Sequence, residues 1–85
     1  MIINCRKKPI VIQAIQWTGS NEDEIRSFVN AAAVFKSDSG KLDLFIETLE
    51  GTMHAQLNDY IMRGIKGEFY PCAREIFEET YEIVE

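Results

Sequence analysis

The segment Arg63-Gly64-Ile65-Lys66-Gly67 is where this chain comes closest to a ligand site. Two cations separated by glycines, with free backbone N–H groups, have the makings of an anion cradle. Tyr60, Phe69 and Tyr70 flank it, and Trp17 closes an apolar block far upstream. Cation beside aromatic is the chemistry of nucleotide and base recognition. The candidate ligand-binding residues are therefore Trp17, Arg63, Lys66 and Tyr70, and the class they fit is a small anionic ligand. The order and length are those of neither a Walker loop nor a Rossmann fingerprint. The alternative is that the glycines only shape a turn, the cations are solvated and the rings belong to the core. Geometry separates the two readings. On a regular strand, residues three apart face opposite sides. A bulge or tight turn within 64–67 is expected to bring Arg63 and Lys66 to one side, with an aromatic against one of them.

The other reactive side chains lack partners. His54, the single histidine, falls on the polar phase of its strand with no acid or cysteine at ligand spacing, and reads as a surface residue. Cys72 follows Pro71 at an expected helix N-terminus, a position that can lower a thiol pKa. Without a base beside it, it reads as a buried apolar cysteine. Cys5 lies beside Arg6, Lys7 and Lys8. The two cysteines form no CxxC pair and are too few for a disulfide scaffold. The carboxylates offer pairs by number alone, so no general acid and base stand out. The expectation is no enzyme, no cofactor and no metal.

Composition narrows the partners. The 85 residues carry nine Lys+Arg against fourteen Asp+Glu, a formal net charge of −5. Duplex nucleic acid, which needs several cationic phosphate contacts, is a poor match. The signs are unevenly placed: Arg6, Lys7 and Lys8 near the start, and Glu75, Glu78, Glu79, Glu82 and Glu85 near the end. Such ends are solvated, or pair with each other, or pair across a dimer. Apolar runs are only a few residues long, too short for a membrane, and Met1-Ile2-Ile3-Asn4 leads into a basic run with no signal-peptide core. The expected compartment is the cytoplasm.

Positioning these residues falls to one domain, 1–85, of α+β class. Pro9 to Trp17, rich in β-branched and aromatic residues, predicts a strand of seven to nine residues, apolar on both faces and so central. Asn21-x-x-Glu24 fits a capping box. Ile25, Phe28, Val29 and Ala32 then make one apolar stripe, predicting an amphipathic helix over about 21–32. The pattern switches to period two from Val34, with strands at 34–36, 42–48, 52–57 and 60–63 and more strand at 68–70. Ser37–Gly40, Glu50-Gly51 and Asn58-Asp59 mark the reversals. Pro71 suits the first turn of a short helix over about 73–79. Tyr81 and Ile83 alternate with polar neighbours, predicting a last strand. The sum is a mostly antiparallel sheet of about five to six strands with two helices.

Two blocks of the chain resemble a known family. Arg6-Lys7-Lys8-Pro9-Ile10-Val11-Ile12-Gln13-Ala14-Ile15-Gln16-Trp17-Thr18-Gly19 is similar to an RKKPVVIEAVQWTG opening. Leu57 to Tyr81 is similar to a closing block of the form GDYIIRGVKGEFYPCKPDIFxxTYE. Both belong to a family of small phage and prophage proteins. Asn58 stands where that pattern has Gly, and Ala73-Arg74 where it has Lys-Pro. Asn tolerates a left-handed backbone, so the first change is mild. The resemblance implies a phage or prophage origin but no activity. The function expected is a binding or adaptor module acting on a host or phage protein in the bacterial host cytoplasm, the partner being such a protein or a second copy in a homodimer. The rivals are a protein that sequesters a nucleotide signal and a small virion-associated structural protein.

Overall fold

The computed structural model describes residues 1–84. Six strands and two helices follow in the order β1 (Gln13–Gln16), α1 (Glu22–Val29), a 3-10 turn (Asn30–Ala32), β2 (Ala33–Asp38), β3 (Lys41–Thr48), β4 (Gly51–Ala55), β5 (Tyr60–Arg63), β6 (Phe69–Cys72) and α2 (Arg74–Thr80). All pairing is antiparallel. The expected α+β class and strand number hold, but the strands divide into two sheets, β1-β5-β6 and β2-β3-β4.

Both sheets are built from short reversals. Ser39 and Gly40, at φ 52° and 78°, form a two-residue loop between the paired Asp38 and Lys41. Positive φ at both loop residues matches the right-handed twist of the strands it joins. Asn58 adopts φ 73°, a left-handed conformation that asparagine tolerates. Trp17, Ile25, Val29, Leu44, Ile46, Ala55 and Ile61 make one buried cluster that joins β1, α1 and both sheets. Trp17 meets Phe35 edge to face at 5.5 Å, locking the end of β1 to β2.

Several local expectations are corrected. The strand expected from Pro9 to Trp17 is regular only over Gln13–Gln16, and β1 is an edge, not a centre. Its partner β5 is four residues long and ends at the Gln13–Arg63 pair, so residues 9–12 run past the sheet with no strand partner among the described residues, and the Ile10 N–H turns back to the Lys8 carbonyl at 2.8 Å. Asn21 does not cap α1 with its side chain. Its Oδ1 instead accepts hydrogen bonds from the Thr18 N–H at 2.9 Å and the Thr18 hydroxyl at 3.0 Å. Its Nδ2 donates to the Gln16 carbonyl at 2.8 Å, so Asn21 ties the β1–α1 connection together. The helix expected over about 21–32 is present as α1 and the 3-10 turn that continues it to Ala32, the change of geometry falling where Asn30 swings to φ 61°. Pro71 lies inside β6, opposite Ile61, not in a helix. An edge strand tolerates it, since a missing N–H there can face away from the ladder. Tyr81–Val84 form no strand. Among the described residues no helix is long and apolar enough to cross a membrane.

Candidate functional site

The β5–β6 hairpin carries three of the four candidate ligand residues. Its turn is tight, as expected. The Gly67 N–H donates to the Gly64 carbonyl at 2.9 Å, and the Gly64 N–H donates to the Glu68 carbonyl at 2.7 Å. Gly67 sits at φ 81°, the left-handed residue that closes a three-residue loop and sets a bulge. The Glu68 carboxylate folds back and accepts the Lys66 N–H at 3.0 Å, occupying a backbone donor that an anion would need.

Arg63 also meets aromatic rings, as expected, but as an internal clamp. Its guanidinium lies 4.9 Å from the Phe28 ring centre and 5.2 Å from that of Phe69. It donates to Gln13 Oε1 at 3.1 Å and to the Phe28 carbonyl at 3.0 Å. The Phe28 carbonyl belongs to the last turn of α1, where a cation complements the helix dipole. One side chain thus fastens α1, β1 and β6. Lys66 is exposed in the turn, and its ammonium has no hydrogen bond, ion pair or ring contact among the described residues.

The other two residues stand apart from this clamp. Trp17 is 2% exposed and belongs to the core. Tyr70 lines a groove of about 350 Å³ with Leu49, Met53, Phe69 and Pro71, between the tip of the β3–β4 hairpin and β6. Its phenol pKa is pushed up to about 12, chiefly by burial and then by the neighbouring Tyr81 hydroxyl. Cys72, next along, is also pushed up by burial, with the Asp59 carboxylate adding to the shift and Lys7 opposing it. That is the reverse of an activated thiol.

Two groupings escaped the sequence reading. His54 does have an acid beside it: its Nε2 is 3.5 Å from Asp43 Oδ1, and Gln56 Nε2 lies 3.0 Å from its Nδ1. Its ring stacks on Phe45 at 4.8 Å. Hairpin arithmetic held the signal, because pairing Phe45 with His54 puts Asp43 two residues along on the same face. With both ring nitrogens engaged, this imidazole is held as a surface strut. The second grouping is an aromatic ladder. Tyr60 stacks on Phe77 at 3.8 Å, and Phe77 on Tyr81 at 5.4 Å. The Lys7 ammonium lies 5.0 Å over the Tyr81 ring and donates to its hydroxyl at 3.1 Å. The ladder docks α2 and the N-terminal arm on β5.

Comparison with protein-family models, with curated proteins and with solved structures finds no match to this chain.

Proposed function

We propose that the chain is a non-enzymatic binding or adaptor module, encoded by a phage or prophage and acting in the cytoplasm of the bacterial host on a protein target. The phage setting rests on the sequence resemblance. The observation that carries the binding reading is the groove between the β3–β4 tip and β6. Leu49, 83% exposed, and Met53, 42% exposed, rim it beside Phe69, Tyr70 and Pro71. Apolar side chains gathered in a groove at a sheet edge suit an apolar segment of a partner protein. The test is a pair of baits, the protein and its Leu49→Asp/Met53→Asp variant, passed through lysates of several bacterial hosts. A protein held by the first and lost by the second is expected. Equal retention by both, or none by either, overturns the groove as the docking site.

Sequestration of a small anionic ligand is the second reading, favoured by the Lys66 ammonium, exposed in its turn and without a partner among the described residues. Thermal-shift measurement against nucleotides and cyclic dinucleotides tests it. A ligand at a hundredfold excess over Kd adds about 2.7 kcal/mol of stability. Absence of a shift with every nucleotide removes this reading and leaves the first.

A further inference from the structure

The groove between the β3–β4 tip and β6 is apolar in its walls and acidic at its rim. Its walls are the aliphatic and aromatic side chains described above, and its two charged residues, Glu50 and Glu68, are both acidic. Glu50 is exposed in the turn between the paired Thr48 and Gly51, and its carboxylate has no hydrogen bond or ion pair among the described residues. Glu68 lends Oε1 to the Lys66 N–H at 3.0 Å, and its second oxygen has no hydrogen bond among the described residues. Its charge is felt at the groove wall: the Tyr70 phenol is raised first by burial, then by Tyr81, and further by the Glu68 carboxylate. Free carboxylates beside an apolar concavity favour an occupant that is apolar and cationic together. The net charge of −5 attracts such an occupant from a distance.

Backbone pairing limits how that occupant is held. The Gly64 N–H donates to the Glu68 carbonyl, and hydrogen-bonded pairs alternate along an antiparallel ladder. Tyr70 and Cys72, in register with Met62 and Tyr60, therefore turn their backbone groups inward to β5, while Phe69 and Pro71 turn theirs outward. Pro71 has no N–H, so the open edge of β6 offers an added strand only the Phe69 donor. Side chains, not a ladder, must supply the hold. We infer that the groove takes a cationic apolar segment of the partner protein, with one aliphatic or aromatic side chain in the concavity and a Lys or Arg beside it against Glu50 and Glu68. The Tyr70 ring offers the same cation an aromatic face. This choice of occupant rests on the groove being the docking site proposed above, and adds the chemistry of what docks.

A library of short random peptides displayed on yeast tests it. The library is sorted for binding to the protein and against binding to a Leu49→Ser/Met53→Ser variant, which loses apolar groove contacts at unchanged charge. The enriched peptides are expected to carry an apolar residue with Lys or Arg close by and a net positive charge. Enrichment of neutral or acidic peptides overturns the cationic occupant and leaves the groove as a docking site. No enrichment over the variant overturns the groove and its occupant together. An enriched peptide, made synthetically, is expected to bind a Glu50→Lys/Glu68→Gln variant about tenfold more weakly. Glu68→Gln keeps an oxygen to accept the Lys66 N–H, and circular dichroism checks that the fold is retained. Binding to the unaltered protein should also weaken as salt rises, a measurement that needs no variant. Affinity unchanged by salt overturns the pairing of a cation with Glu50 and Glu68, and so does affinity unchanged in the carboxylate variant.

Discussion

Arg63 illustrates how the same chemistry serves a fold or a ligand according to what reaches it first. Its guanidinium is already engaged by two rings and two acceptors. Arg63→Ala is therefore expected to destabilise the protein by about 2–3 kcal/mol, from the charged hydrogen bonds and the lost packing between rings. Arg63→Lys should recover only part of that, since an ammonium cannot span both acceptors while lying flat between the rings. Urea denaturation checks both. A loss below the size of a surface change would leave the guanidinium free for another role. Tyr70 carries a second expectation at this scale. Its phenol titrates at about 12 in the folded chain, against 10.0 for an unperturbed group. The unfolded chain therefore loses this proton first as pH rises. The stabilising share is full below pH 10 and disappears on the way to pH 12. In a phenolate absorbance titration one of the three tyrosines should ionise late, and Tyr70→Phe should remove that late step.

At the scale of elements, the turns carry the strain and the edges carry the exposure. Gly67 at φ 81° closes the β5–β6 loop. Gly67→Ala forces a Cβ into the left-handed region at a cost of about 1–2 kcal/mol, although no neighbouring atom would obstruct it. Asn58 at φ 73° has the opposite sense: Asn58→Gly is expected to be neutral or slightly stabilising. Thermal denaturation of the two variants should move in different directions, or one should not move at all. If Gly67→Ala is as stable as the parent, the turn is not held in the left-handed form. The Asn21 linkage shows that a cap-like pattern is not always a cap. Its side chain holds Gln16 and Thr18, so the stability it adds belongs to the β1–α1 joint more than to the helix.

For the whole molecule the limiting quantity is a small core. Nine apolar side chains are buried among the described residues, and a chain of this length holds roughly 4–13 kcal/mol in total. Trp17 is the largest of them and bridges the sheets. Trp17→Ala is expected to cost about 3–5 kcal/mol, a large part of that total. The variant should be mostly unfolded or molten near its working temperature, with near-ultraviolet circular dichroism lost before the far-ultraviolet signal. A cooperative transition close to that of the parent would show that the two sheets hold together without the indole. The same small core explains why apolar residues remain on the surface. The ladder Tyr60–Phe77–Tyr81 and the Arg63 clamp do at the periphery what a larger domain does with its interior.

Local order was legible in the residues. The stripe Ile25, Phe28, Val29 has helical spacing, the run Leu42 to Thr48 alternates, and Gly and Asn mark each reversal, because backbone sterics and side-chain period act over a few residues. The turn at 64–67 was legible for the same reason. What tertiary structure decided is everything that depends on a distant partner. Strand composition at Pro9–Ile12 could not become paired strand because β5 offers four residues and no more. Tyr81–Val84 alternate in sequence but pair with no strand among the described residues. Trp17, Arg63, Lys66 and Tyr70 looked alike as recognition chemistry. Packing sent the first to the core, the second to a clamp, the third to solvent and the fourth to a groove wall. A side chain's type sets what it can do. Which neighbour reaches it first, across dozens of residues, sets what it does.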